Sequence, residues 1–389
     1  MKKFLFVIVL GALSIVLGTS FYSISKSKKY TPRADFEPSS STMVVWANSY
    51  KDNLLPFIST ISKYDHVTVV VKDRNSIEQV KSELHGQYAS MKNISFSMNP
   101  SQESAEDIWI RDFGPMIITN GSKMKVVDFR YYINDYSNFD SRFAAKNKME
   151  VVRSKVLSVG GAREFNGKGT VILVKSHEKK HNKNLSLEEI ENEFKMVLGQ
   201  EKVIWLEEGL PYDDDFYDGP IVDTIYPNGL HGHIDEFCRF ANANTILISV
   251  PRDSDSSHTL YDITKQRMQR NYDILTQSTD QDGNKFKVVK VPVAPYFLFT
   301  GFNDCIDKQC IAVTSYLNYA ITNKLVIIPK YYKDGYPIDF LEKDELARTI
   351  FETTFPGKKI IQMDPMFLNM SSGGFHCISL NIPKIKRRA

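Results

Sequence analysis

Ser371-Ser372-Gly373-Gly374-Phe375-His376-Cys377 sets a thiol three residues past a glycine pair and twelve residues from the end of the 389-residue chain. The glycines are expected to let the backbone turn tightly and come close to a ligand, which makes Gly374 a candidate binding position. The flanking His376 is expected to help hold the sulfur as a thiolate, the form that attacks carbon. Two further stretches supply the partners such a nucleophile needs. They are Asp107-Ile108-Trp109-Ile110-Arg111-Asp112-Phe113-Gly114-Pro115 and His231-Gly232-His233-Ile234-Asp235-Glu236-Phe237.

Read as extended backbone, residues 231–237 alternate their side chains. His233, Asp235 and Phe237 then share one face, and Ile234, Glu236 and Cys238 the other. Ile108-Trp109-Ile110 reads as a strand that Gly114-Pro115 ends, so Asp112 would project from a strand terminus. Alone, each motif has a plain structural reading: a polar strand edge for His233 and Asp235, an ion pair for Arg111 and Asp112. His231-x-His233-x-Asp235 is also similar to the first ligand cluster of zinc hydrolases, which need further ligands from elsewhere. The other six histidines (His66, His85, His177, His181, His258, His376) form no second cluster along the chain, so no metal is expected.

At 42% hydrophobic and 24% charged residues the composition is that of a globular protein, and the net charge of +3 is too small to argue for nucleic acid. Lys2-Lys3 followed by the apolar run Phe4 to Leu17 reads as a secretory signal over residues 1–25. If it is retained, residues 4–24 are long enough to anchor the chain in a membrane. The expected location is therefore exported: periplasmic, secreted or anchored. A polar linker, 26–31, leads into a body over 32–383, and the basic tail 384–389 reads as solvated. Export puts Cys305 and Cys310 in an oxidising compartment, close enough to pair; Cys238 reads as a small buried residue.

Short buried strands are predicted at Val67–Val71, Lys125–Phe129, Thr170–Val174, Val203–Leu206, Thr245–Val250, Lys287–Val291, Leu325–Ile328 and Lys359–Met363. Between them come helices from Ser76 (as N-cap) to Leu84, from a capping box at Ser186-Leu187-Glu188-Glu189 to Leu198, and over Asp344–Phe351. Alternating strands and helices point by default to a doubly wound sheet. No G-x-G-x-x-G or Walker A loop follows any strand, so nucleotide binding has no support. Asp213 to Leu230 reads as a long acidic loop.

Two carboxylates, an imidazole and a thiol suit one kind of substrate. A planar guanidinium is gripped bidentately by carboxylates, which would leave its central carbon facing the sulfur, while the imidazole protonates departing ammonia and then activates water. A transglutaminase-like acyl transferase would leave Asp112 without a task. A zinc hydrolase using His231, His233 and Asp235, or a catalytically silent binding protein, are the readings from other classes.

Arg33-Ala34-Asp35-Phe36-Glu37-Pro38, Asp107 to Pro115, Gly232 to Phe237, Ser315-Tyr316-Leu317-Asn318 and Gly373 to Ile378 together resemble the agmatine deiminase and Porphyromonas-type peptidylarginine deiminase family. They do so in order, from about Arg33 to Pro383. The resemblance implies an α/β fold, the five-bladed ββαβ propeller (pentein) with pseudo-fivefold symmetry. It implies Cys377 as nucleophile, His233 as acid/base, Asp112 and Asp235 as guanidinium clamps, Trp109 and Gly374 as substrate contacts, and no cofactor. It also implies a small cationic guanidino substrate. Agmatine would give N-carbamoylputrescine and ammonia, its distal ammonium meeting the acids of the Asp213-Asp214-Asp215 loop, Asp214 foremost, or Glu207 and Glu208. The alternative is an exported peptidylarginine or free-arginine deiminase making citrulline, with Arg239 as the cation for a substrate carboxylate. The family's Glu-Gly-Gly is here Val159-Gly160-Gly161, its Asp-Gly-x-Gly-Thr is Asn166 to Thr170, and about fifteen residues, Phe216 to Leu230, look inserted.

Overall fold

The structure, a computed structural model, describes residues 29–87, 89–98, 107–131 and 138–385. The export segment and residues 26–28 of the linker lie outside the described residues, as does the end of the basic tail. Among the described residues no helix is long and apolar enough to cross a membrane.

The predicted strands form, but not as one sheet. Six small sheets of three or four strands replace the doubly wound expectation. Five of them repeat a single pattern: an antiparallel strand pair, a helical crossover, and a third strand parallel to the second. In chain order the pairs and their parallel third strands begin with Ser39–Val45 and Val67–Val71, flanked by Leu380–Pro383 from the far end of the chain. Next come Met116–Thr119, Met124–Arg130 and Glu150–Leu157, then Glu164–Phe165, Thr170–Val174 and Lys202–Leu206. The last two are Cys238–Asn242, Thr245–Val250 and Lys287–Pro292, and Ala320–Ile321, Leu325–Pro329 and Lys359–Met363. The central strands are β-branched and buried on both faces, so they carry the same apolar signature a doubly wound sheet would. Strand composition alone does not tell the two apart.

Helix boundaries follow local capping chemistry. Asp73, not Ser76, caps the helix Arg74–Gly86, its carboxylate accepting the Ser76 N–H. The Ser186/Glu189 capping box starts Leu187–Val197 as expected, and the last predicted helix runs longer, over Ile338–Thr354. The sixth sheet joins Ile225–Tyr226, in the apparent insertion, to Gln309–Ile311 and Leu298–Phe299, beside a disulfide between Cys305 and Cys310.

Each repeated unit is entered through a short connection, and these connections carry the chemistry. Asp112, Gly161, Asp235, Asn318 and Cys377 all lie two to four residues ahead of the first strand of a different unit. The nucleophile motif is fastened by Phe375, which stacks on Phe57 at 5.6 Å, and by the Arg111 N–H, which donates to the Cys377 carbonyl at 3.0 Å.

Candidate active site

Cys377 is buried, and its nearest polar neighbour is Asn318, whose Nδ2 reaches the sulfur at 3.0 Å. Asp235 Oδ2 lies 3.8 Å and Glu236 Oε1 4.0 Å from Sγ. Burial pushes the thiol well above its ordinary pKa, Asp235, Glu236 and Asp112 push the same way, and only the Asn318 hydrogen bond opposes them. The resting cysteine is therefore a neutral thiol. His376 does not stabilise a thiolate: its Nδ1 faces Asp235 and its Nε2 faces Asp35, each at 2.6 Å.

The connection 231–237 is not extended. His231 and Gly232 both take left-handed backbone angles, φ 75° and 81°, and Ile234–Glu236 closes a 3-10 turn. The turn, rather than strand alternation, brings His233, Asp235 and Glu236 to one place. Asp213 holds it, accepting the Leu230 N–H at 2.9 Å and the His233 N–H at 2.6 Å. Likewise Ile110–Phe113 is a helical turn, not a strand end. Arg111 pairs with Asp35 instead of Asp112, which accepts the Gly161 N–H at 2.9 Å.

His233 Nδ1 stands 3.9 Å from Asp112 and 4.0 Å from Asp235. Burial alone would lower its pKa, but Asp112, Asp213, Asp235 and Glu178 together raise it, so the ring tends toward imidazolium. Burial raises Asp112. In Asp235, burial is outweighed by the His376 hydrogen bond and charge, and the carboxylate is held ionised. Glu236 is pushed far up by burial and by its acidic neighbours, and is held protonated.

Between these groups sits Gly161. A methyl built on it would lie 2.8 Å from Asp112 Oδ1, 2.8 Å from His233 Nδ1 and 3.1 Å from Asp235 Oδ2. The missing side chain keeps open the space that the two carboxylates and the imidazole face. Gly161→Ala is expected to lower kcat/KM by roughly 10²-fold, the scale of a 1 Å misplacement in a reacting site. Circular dichroism alongside the kinetics checks that the fold survives.

The other expected contacts are distributed differently. Trp109 packs on Gly373, where a Cβ would stand 2.4 Å from its ring, and Gly374 makes room for the Asn318 carboxamide. Neither glycine carries the turn; Ser372 does, with φ 71°. Asp214 does not face the site: Arg267 holds it bidentately at 2.8 and 2.9 Å. Glu207 pairs with Lys175, and Glu208 with Arg270 and Arg267. Arg239 is wholly buried between Glu164 and Asp35 and against Tyr319, and cannot meet a substrate carboxylate. Sequence reading passed over Asn318, Asp35 and Glu236 as site residues, although all three lie in motifs singled out; Asp213, expected with the acidic loop to meet a distal ammonium, instead accepts the Leu230 and His233 N–H groups. The zinc-like cluster does not assemble either, because His231 pairs with Asp215 while His233 faces Asp112 and Asp235.

Glu178, which burial raises to about 7, donates nothing to the site but shares its charge balance. Its folded pKa exceeds the ordinary glutamate value of 4.5, so its stabilising protonation is present at low pH and lost as pH rises from about 4.5 to about 7. Glu178→Gln is expected to raise Tm at pH 8 and leave it unchanged at pH 4, as thermal melts at both values will show.

A buried thiol, an imidazole and paired carboxylates at the entrances of repeated ββαβ units mark a hydrolase acting on C–N bonds. The chain belongs to the Porphyromonas-type peptidyl-arginine deiminase family, whose model matches residues 33–383. The agmatine deiminase of Medicago truncatula is 25% identical over 397 residues, spanning 90% of this chain and 96% of the relative. That of Pseudomonas fluorescens is 26% identical over 312 residues, spanning 73% and 76%. Among solved structures, the agmatine deiminase of Enterococcus faecalis superposes with a TM-score of 0.73 at 21% identity, covering 91% of this chain and 96% of its own. A substrate-bound agmatine deiminase of C. jejuni gives 0.70 at 21% identity, covering 92% and 98%.

Proposed function

We propose that the chain is a guanidine deiminase that converts agmatine to N-carbamoylputrescine and ammonia through a thiouronium on Cys377. One observation carries this reading: a buried thiol stands beside Asp235 and Glu236, with Asp112 and His233 across the gap at Gly161, in an acid-lined pocket. A guanidinium supplies the missing positive charge. Its arrival cancels the anionic field that keeps the thiol protonated, so binding and nucleophile activation are one event. The thiol proton leaves to solvent as the cation binds, the sulfur bonds to the guanidino carbon, and the His233 imidazolium protonates the departing nitrogen, which leaves as ammonia. Neutral His233 next takes one proton from water, whose oxygen adds to the thiouronium; as the C–S bond breaks, the other water proton returns Cys377 to the thiol.

Agmatine is favoured over free arginine because Arg239 and Arg111 are committed to Asp35 and Glu164 rather than open to a substrate carboxylate. The agmatine deiminase relatives support the same substrate. The five repeated units, with one site segment ahead of each, support a five-bladed propeller closed by Leu380–Pro383 around the catalytic pocket. The Cys305–Cys310 disulfide is compatible with export by residues 1–25. Ammonia and ureido product are to be assayed from agmatine, arginine and an arginine peptide. Agmatine is expected to give the highest kcat/KM; release of ammonia from the peptide alone would move the assignment to a peptidylarginine deiminase, and release from none would end the deiminase reading.

A further inference from the structure

Two residues past Gly161 the chain buries a cation with no counter-ion in contact. Arg163 is 5% exposed, and its guanidinium lies over the Phe129 ring at 4.2 Å. Its Nε and Nη1 are buried without a hydrogen-bond partner, and among the described residues no carboxylate forms an ion pair with it. Buried charges are ordinarily paired, because an ion taken out of water without a partner is costly to keep. Glu178, Asp140 and Asp112 act on Arg163 through charge alone. Burial raises all three, Glu178 to about 7 and Asp140 well above its ordinary value, so their compensation is incomplete. Burial pulls Arg163 itself down to about 10, which leaves it charged at neutral pH.

Arg163 lines a small cavity of about 50 Å³, whose walls also carry Arg33, Asp35, Arg111 and Glu164. Arg111 turns Nη1 and Nη2 to Asp35, at 3.3 and 3.2 Å, and leaves its Nε buried and unpaired. Asp35 is shared further, with Arg239 and His376. Glu164, the other partner of Arg239, is raised to about 7 chiefly by burial. The wall thus holds more guanidinium charge than carboxylate charge, and both Arg111 and Arg163 have buried donors to spare. A cavity of this size takes one or a few water-sized groups, so its ligand is small. We propose that it is a binding site for a small monovalent anion of chloride size, held by Arg163 and Arg111. The inference goes beyond the deiminase reading and does not depend on it. An anion there would tie Arg163 to Arg111, whose backbone N–H donates to the Cys377 carbonyl, and so brace the connection that carries the thiol.

The test follows Tm of the intact chain, Arg163→Met and Arg163→Lys while chloride replaces gluconate, too bulky for the cavity, at constant ionic strength. General salt effects act on all three proteins alike, so the readout is the difference between wild type and Arg163→Met. That difference is expected to widen by about 2–3 °C, and to saturate, as chloride reaches roughly ten times its Kd. Arg163→Lys, which keeps the charge but loses the fork of donors, is expected to respond more weakly. Wild-type crystals soaked in bromide are expected to show an anomalous peak within hydrogen-bonding distance of Arg163 and Arg111. A difference that chloride leaves unchanged overturns the site. So does a bromide soak that leaves only water in the cavity, or that places bromide only on the outer surface, as an adventitious ion only. Should Arg163→Met fail to fold, the bromide measurement on wild type decides alone.

Discussion

Cys377→Ala is expected to reduce ammonia release from agmatine by a factor on the order of 10⁴ or more, because a covalent nucleophile acts as part of a unit whose loss is not made up by the remaining groups. The fold should be barely disturbed. Asn318 Nδ2, which loses the sulfur, keeps its bond to Glu236 Oε1 at 2.6 Å, so no buried donor is orphaned. A melt within a few degrees of wild type, together with abolished turnover, is the expected pair of results. Turnover persisting in this variant would move the chemistry elsewhere.

Asp235→Asn carries the second largest expected effect, and its two readouts move in opposite directions. Asp235 is the carboxylate closest to the sulfur, and among the neighbouring charges it does most to hold the thiol protonated. Neutralising it should make Cys377 ionise more easily, so iodoacetamide should label it faster at a given pH than in wild type. Deimination should nevertheless collapse. One side of a buried charge pairing with the guanidinium would be lost, at a cost of about 3–5 kcal/mol or roughly 10²- to 10⁴-fold. The amide would also make a poorer partner for His376 Nδ1. Faster labelling with slower turnover separates electrostatic clamping from general disruption, in which both would change through unfolding.

Much of this architecture is legible in the chain because it is written locally. Runs such as Val67-Thr68-Val69-Val70-Val71 and Leu325-Val326-Ile327-Ile328 leave little choice but buried strands, and the Ser186/Glu189 box fixes a helix start. How the strands group is not local. A buried parallel strand looks the same in one large sheet as in five small ones, and only the family resemblance turned the reading away from a doubly wound sheet. Motif residues were found, but the backbone beneath two of them was misjudged. The paired left-handed angles at His231 and Gly232 depend on Asp213 accepting two of the loop's N–H groups, a contact that no alternation rule anticipates. His376 shows the same limit: its partner Asp35 lies 341 residues away, so adjacency to Cys377 was a misleading guide. A row of histidines escaped for a related reason. His177 and His181 were counted as scattered, yet the third unit's crossover packs them onto the loop that carries His231 and His233.

Attack by Cys377 on a guanidino carbon is the claim on which the rest depends, and it leaves a covalent trace. Wild-type protein mixed with agmatine, quenched in acid during turnover and digested, is to be read by mass spectrometry. The account predicts that the peptide bearing Cys377 carries the mass of the substrate less one ammonia, and that Cys377→Ala carries nothing. Ammonia release from agmatine with no adduct at Cys377 under any quench time, or an adduct on another residue, would contradict it.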